Sequence, residues 1–173
     1  ELESFWCGLS KKKLKNALSF IAPSHWMNRA AKEGYWENCL STVIPYPIFS
    51  KYLPHPDREA CKNALGVKPN KTTILTSAGN LNEARKGGQI LHEIIFDKKF
   101  KETQFILMGV FETEKELPKN VRTLGFIQDD ELKRIAYCAA DLTLHPAPID
   151  NLPNSVIESI ACNTPVLGFN TGG

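Results

Sequence analysis

Two clusters of residues in this chain have the types and spacing to do chemistry. The first is Gly79-Asn80-Leu81-Asn82-Glu83-Ala84-Arg85-Lys86-Gly87-Gly88, between an apolar run and a helical pattern. A backbone of this kind can present unpaired N–H groups at a helix N-terminus, where the dipole favours an anion, and Lys86 adds a cation there. It lacks Gly-Lys-Ser/Thr at phosphate-loop spacing and G-x-G-x-x-G, so neither standard phosphate fingerprint is present. A solvated strand-to-helix loop is the plainer reading. The second cluster is Asp150-Asn151-Leu152-Pro153-Asn154-Ser155-Val156-Ile157-Glu158. Pro153 suits a first helical turn, and Asp150 sits just before it. Ser155 and Glu158 have capping-box spacing, which alone would account for Glu158. The alternative is an acceptor-only carboxylate that takes both vicinal hydroxyls of a ribose, with Asp150 taking a sugar hydroxyl. A third segment, Gly125 to Asp129, follows another short apolar run and carries no chemical pattern of its own.

Other candidates are weaker. His145 ends an apolar run before Pro146; a lone histidine there is more often structural than a general base. No second His or Cys stands at metal spacing beside it, so no metal ligands are expected. Ser155 has no His/Asp partner motif, which leaves a hydrolase triad unsupported.

The elements that must position these residues follow from periodicity. Strands are expected at Phe20–Ala22, Thr42–Ile44, Thr72–Ser77, Gln104–Val110, Thr123–Phe126, Asp141–Leu144 and Pro165–Phe169. Helices are expected before Phe20, after a Ser24 cap, and over Asp57–Leu65, Ala84–Phe96, Asp129–Cys138 and Pro153–Cys162. Ile90, Leu91, Ile94 and Ile95 would share one face, and Leu132, Ile135 and Ala136 another. Strands alternating with helices imply an α/β fold. The sheet would be Rossmann-like and parallel, with helices on both faces. Ligands of such sheets sit beyond the carboxyl ends of the strands, where these segments fall. Pro45, Pro47, Pro54 and Pro56 mark a crossing, so a boundary is expected near residue 47.

Composition bounds the rest. The chain has 173 residues, 42% hydrophobic and 23% charged, a globular balance that excludes a disordered, coiled-coil or collagen-like chain. Lys and Arg number 21 against 19 acids, which argues against a nucleic-acid partner. Lys11, Lys12 and Lys13 form the only basic run and read as a solvated helix face. No apolar stretch reaches membrane-spanning length. The cysteines Cys7, Cys39, Cys61, Cys138 and Cys162 are odd in number and form no C-x-x-C, so neither zinc nor a disulfide framework is expected. Cys138 and Cys162 read as core, and a reducing cytoplasm fits. The chain starts at Glu1 rather than Met, as a fragment or processed form does.

Taken together, several segments resemble the C-terminal half of a GT-B glycosyltransferase of glycosyltransferase family 4. They are Ala22-Pro23-Ser24-His25-Trp26 with Val43-Ile44-Pro45, Arg85-Lys86-Gly87, Leu124-Gly125-Phe126, Ala139-Ala140-Asp141-Leu142, Asp150 to Glu158, and Ser159 to Val166 with Gly172-Gly173. Their order and spacing carry the likeness, which covers about residues 20–173.

The resemblance implies a GT-B C-terminal domain, incomplete at both ends. Residues 1–47 would close the N-terminal acceptor domain, and 48–173 would bind the donor. It implies retaining transfer of a sugar from a nucleotide-diphosphate donor to a glycan or lipid-linked acceptor, in surface polysaccharide synthesis, without a cofactor or bound metal. Lys86 would neutralise the departing diphosphate. Asp150 falls at the first acid of the family's E-x7-E motif, and Glu158, at the second, would hold the ribose. Gly79, Asn80, Arg85, Asn151, Leu152, Pro153 and Asn154 would line the donor, and the backbone of Gly125, Phe126 and Ile127 would read the base. Asp150 replaces the usual Glu, Asn80 a common Arg, and Asn163 a common Gly. The fragment alone is expected not to transfer sugar, and any peripheral association with the inner membrane face would act through the absent domain. Two alternatives stand beside this: a GT-B nucleotide-sugar epimerase or phosphorylase, and a non-catalytic nucleotide- or sugar-binding module, which Asn80 favours.

Overall fold

The computed structural model describes residues 18–34, 36–48 and 52–173. The helix expected before Phe20, the Lys11–Lys13 run and Cys7 lie outside the described residues. The chain divides into two compact units, residues 1–47 with 172–173, and residues 48–171.

In the smaller unit, β1 (Ser19–Ala22) and β2 (Leu40–Val43) pair in parallel, with Ser19 opposite Leu40. The helix α1 (His25–Lys32) connects them. Ser24 caps it, its hydroxyl accepting from the Met27 N–H at 3.1 Å. That satisfies one of the donors a helix start leaves unpaired.

The larger unit is built on one strand. Every residue from Gln104 to Gly109 of β4 (Gln104–Val110) is buried, because side chains alternate and both faces are covered. Phe105 and Leu107 point to one face, against Leu81 and the helix α3 (Gly88–Phe96) through Leu91 and Ile95. Ile106 and Met108 point to the other. There they join Cys61 and Leu65 with α2 (Arg58–Ala64), and Ala136 to Ala139 of α4 (Asp130–Ala139). The remaining strands are β3 (Thr73–Asn80), β5 (Val121–Gly125), β6 (Leu142–His145) and β7 (Val166–Gly168), with α5 (Asn154–Ala161) before the last. All pair in parallel, in the order β5-β4-β3-β6-β7. This is the expected α/β architecture, with helices on both faces. Cys138 and Cys162 are core residues, each 3% exposed.

One ionic cluster pins α2 to the sheet. The buried Lys62 ammonium reaches Asp141 Oδ2 at 2.8 Å, Thr73 N–H donates to the same oxygen at 2.8 Å, and Arg58 meets Oδ1 at 3.0 Å. Burial pushes the Asp141 carboxyl up, but these donors outweigh it and hold it below the usual range.

Three expectations need correction. The helix expected over Ala84–Phe96 is broken: a 3-10 turn spans Ala84–Lys86, Gly87 turns left-handed at φ 76°, and α3 starts at Gly88. Leu132 does not face the core but is 37% exposed. Helices that follow parallel strands start at the carboxyl edge of the sheet, so the first turn of α4 overhangs that edge. Ser155 and Glu158 form no capping box. Pro153 occupies the N-cap, which places Ser155 inside the helix and Glu158 a turn further in.

Candidate functional site

At the carboxyl ends of β3, β4 and β5 lies a cleft of about 240 Å³. Its floor is the carboxyl ends of the central strands: Ser77, Ala78 and Gly79 from β3, Met108 and Gly109 from β4. Phe126 and Ile127 follow β5 on one side, and Lys133 comes from the overhanging turn of α4. The start of α5 gives Asn154, Ser155 and Glu158, and the 3-10 turn gives Lys86.

Glu158 is held from behind. The buried Tyr137 hydroxyl donates to its Oε2 at 2.8 Å. Burial pushes the Glu158 carboxyl up, only partly offset by the Tyr137 bond and the Lys133 charge. A carboxylate has about four acceptor directions, so a bond from Tyr137 leaves acceptor capacity toward the cleft.

Lys86 donates to Asp150 Oδ2 at 2.6 Å, both side chains being about one-fifth exposed. The Asn151 N–H donates to Asp150 Oδ1 at 2.9 Å. Burial pushes Asp150 up, but Lys86 outweighs it and keeps the acid ionised below its usual range. One bond to Asp150 leaves the ammonium two further protons for an anion. His145 Nε2 lies 3.6 Å from Asp150 Oδ2, beyond a hydrogen bond. Burial holds that imidazole below its usual pKa and so neutral near pH 7.

The close approach that joins these loops depends on Gly87. A Cβ there would lie 2.0 Å from the Pro146 carbonyl oxygen. The backbone turn that presents Lys86 therefore rests directly on the loop that carries Asp150.

Six of the candidate residues line the cleft: Gly79, Lys86, Phe126, Ile127, Asn154 and Glu158. Phe126 is 64% exposed at its mouth. Asp150 reaches the site through Lys86, with Asn151 as its backbone anchor. Gly125, the last residue of β5, and Leu152 and Pro153, just before α5, do not line it. Asn80 and Arg85 are turned elsewhere. Asn80 Oδ1 accepts from the Asn82 N–H at 2.9 Å, and Arg85 pairs with Glu83 at 2.6 Å with 70% of its side chain exposed.

Lys133 and Tyr137 were not singled out from sequence. Lys133 had a readable signal, since it belongs to the first turn of a helix that follows a strand bearing a candidate motif. Tyr137 had none, because its bond to Glu158 spans 21 positions.

The cleft thus offers two ammonium groups and a hydrogen-bonding carboxylate beside an exposed aromatic ring. That set can hold a dianion, a diol and a flat base together.

Comparisons with known proteins agree with this architecture. A family model described as "Glycosyl transferases group 1" matches residues 72–173. No curated protein matches. Among solved structures, sucrose-phosphate synthase from Thermosynechococcus elongatus has 20% identity and a TM-score of 0.77, over 98% of this chain and 45% of its own. WaaG, a glycosyltransferase involved in lipopolysaccharide biosynthesis, has 20% identity and a TM-score of 0.71, over 88% of this chain and 44% of its own. HepE from Anabaena, solved in complex with UDP, has 22% identity and a TM-score of 0.66, over 88% of this chain and 45% of its own. The chain spans less than half the length of each of these three, and the likeness to them is one of fold. The family model covers more than half of the chain, from the strand before the Lys86 loop to the C-terminal glycines, and the chain belongs to the group 1 glycosyltransferases.

Proposed function

We propose that this chain is the donor-binding part of a retaining glycosyltransferase that takes its sugar from a nucleotide-diphosphate donor. The observation that carries the reading is the pairing of Lys86 and Glu158 on one cleft at the carboxyl ends of the strands. Glu158 accepts the two ribose hydroxyls. Lys86, with Lys133 beside it, faces the diphosphate, and its ammonium stabilises the charge that develops as the sugar–phosphate bond breaks. Asp150 holds Lys86 in place and meets the donor sugar. The base lies along Gly125, Phe126 and Ile127, read by backbone groups. We assign no metal or other cofactor to the site: Asp150 is committed to Lys86 and Glu158 accepts from Tyr137. Among the described residues no three His, Cys, Asp or Glu groups converge.

In this reading residues 1–47 close an acceptor domain, residues 48–173 bind the donor, and the acceptor is a glycan or a lipid-linked sugar of a surface polysaccharide. No helix among the described residues is long and apolar enough to cross a membrane. We place the enzyme in the cytoplasm, with any contact to the membrane face made by a domain outside this chain. This chain by itself binds donor without transferring sugar.

A non-catalytic nucleotide-binding module is the second reading, and Asn80 favours it. Its carboxamide is uncharged and its oxygen accepts from the Asn82 N–H, so it brings no positive charge to a diphosphate. Calorimetric titration with UDP, GDP and ADP tests the donor site. One diphosphate should bind, and Glu158→Ala should abolish that binding. Unchanged binding in both Glu158→Ala and Lys86→Ala overturns the assignment. The same variants in the full-length enzyme separate the two readings, since only the transferase loses turnover.

A further inference from the structure

A second pocket, of about 420 Å³, lies at the opposite end of the same sheet. Its walls are the loops that enter β3, β4 and β5; along β4 its Gln104 stands four residues, about 13 Å at the usual rise, from Met108 of the donor cleft. Five cations line it: Lys68, Lys71, Lys101, Lys119 and Arg122. The whole chain carries a net charge of only +2, so this end of the sheet concentrates positive charge that the rest of the molecule offsets.

The counter-charge is sparse. Lys71 pairs with Glu102 at 2.6 Å, and that carboxylate is 74% exposed. Among the described residues, Lys68, Lys101, Lys119 and Arg122 form no ion pair. The field is felt locally: the Lys71 hydrogen bond and charge hold the Glu102 carboxyl below its ordinary range, and Lys101 and Lys68 add to the effect. A concave wall focuses such a field on whatever enters it.

The walls are also fixed in advance. Gln104 Oε1 accepts from the Lys68 N–H at 2.8 Å. Asn120 Nδ2 donates to the Phe100 carbonyl at 3.1 Å and the Thr103 carbonyl at 2.6 Å. These bonds tie the three loops to one another. A solvated lysine fringe needs no such ties, and cations gathered without counter-ions repel each other.

We propose that this pocket is an oligophosphate-binding site, taking a compact group of adjacent phosphates, free in solution or carried on a lipid headgroup. Arg122 supplies a fork that grips phosphate oxygens in pairs, and the lysines add mobile point charges. None of the large exposed apolar side chains belongs to the pocket, so the surface offers charge and concavity rather than a greasy anchor.

The test uses the 173-residue chain and inorganic triphosphate, titrated calorimetrically near physiological salt. Saturable binding is expected. A Lys119→Ala/Arg122→Ala double variant should weaken it at least about tenfold, the loss of charge-assisted bonds. Both side chains are exposed, and an unchanged circular dichroism spectrum confirms the fold. Lys86→Ala should leave this binding intact. Binding that Lys86→Ala removes and the double variant keeps overturns the proposal, because triphosphate then sits in the donor cleft. Absence of saturable binding overturns it as well. A second arm uses phosphatidylcholine vesicles carrying phosphatidylinositol bisphosphate, against vesicles of equal charge made with phosphatidylserine. Capture by the first alone, displaced by free triphosphate, supports the site with a headgroup as the phosphate source. Equal capture by both, with no displacement by triphosphate, overturns it in favour of a diffusely charged membrane face. Single-stranded RNA that binds and resists displacement overturns it in the same way.

Discussion

Replacing Gly87 by alanine tests the construction of the donor cleft at its tightest point. Gly87 has φ 76°, and a Cβ would meet the Pro146 carbonyl oxygen at 2.0 Å and its carbon at 2.4 Å. Both partners are backbone, so no side chain can swing aside. The left-handed conformation costs an L-residue roughly 1–2 kcal/mol. Forcing the two loops apart adds about 1–3 kcal/mol, the usual range for overpacking. The sum is about 2–5 kcal/mol, or roughly 4–20 °C of melting temperature for a chain of this size. Gly66 supplies the control. It has φ 67° with no atom within 4 Å of a Cβ, so Gly66→Ala carries the backbone cost alone, about 1–2 kcal/mol. Thermal unfolding followed by near-ultraviolet circular dichroism reads both variants. The same displacement carries Lys86 away from Asp150, so affinity for the nucleoside diphosphate that binds should fall at least about tenfold in Gly87→Ala, through the loss of a charge-assisted contact. It should hold in Gly66→Ala. Equal melting temperatures in the two variants would refute the close approach, whatever the nucleotide does. Equal nucleotide affinities with unequal melting temperatures would refute only the link between the approach and the donor.

Other perturbations read other parts of the structure. Glu158→Gln should lose about 1.5–3 kcal/mol of nucleotide binding, the worth of hydrogen bonds to a charged group, measured calorimetrically. It should not lower thermal stability at pH 7. Burial raises the Glu158 pKa in the folded state, so wild-type stability is greatest below the unfolded value and is lost as pH rises through the folded one. Glutamine removes that slope. For the same reason nucleotide affinity in the wild type should fall with acidification earlier than an ordinary glutamate would dictate, while Asp150, held low by Lys86, stays ionised. Asp141→Asn should cost about 1–3 kcal/mol, less than a fully buried pair because Asp141 is 32% exposed. Its depressed carboxyl stabilises the fold above the unfolded pKa and loses that contribution as pH falls through the folded one. The variant should therefore show a flatter acid limb in urea titrations. Ser159 Oγ lies 2.7 Å from Thr143 Oγ1 and 2.9 Å from the Thr164 carbonyl oxygen, fully buried. Ser159→Ala strands those partners and should cost about 1–3 kcal/mol by denaturant unfolding.

What was legible in the sequence depended on how far away the deciding contact lay. Strand β4 was readable end to end, because burial on both faces writes a continuous apolar run into the residues themselves. Periodicity starts strand β5 two residues late, at Thr123 rather than Val121. It lies at the sheet edge, and its exposed Arg122 and Thr123 carry no such run. The break at Gly87 was invisible for a different reason. Two adjacent glycines announce a turn, but the need for a left-handed one comes from Pro146, on another loop. Helix α5 shows how two residues of phase alter a reading. Ser155 and Glu158 match a capping box only if Ser155 starts the helix. With Pro153 at the cap, Glu158 is released from the helix end and turned to the cleft and Tyr137.

Arg85 and Lys86 make the sharpest case. The resemblance puts both at the donor, Lys86 as the charge on the diphosphate and Arg85 as its neighbour in the motif. In a 3-10 turn, with three residues per turn, successive side chains diverge by about 120°. Only one of the two can face the cleft, and composition cannot say which. The choice is made by two acids elsewhere: Glu83 takes Arg85 into solvent, and Asp150 takes Lys86 into the site. Sequence can therefore name the loop that carries the cation. Which cation it presents is decided by a carboxylate 64 positions away from Lys86, and that contact exists only once the sheet has brought the two loops together.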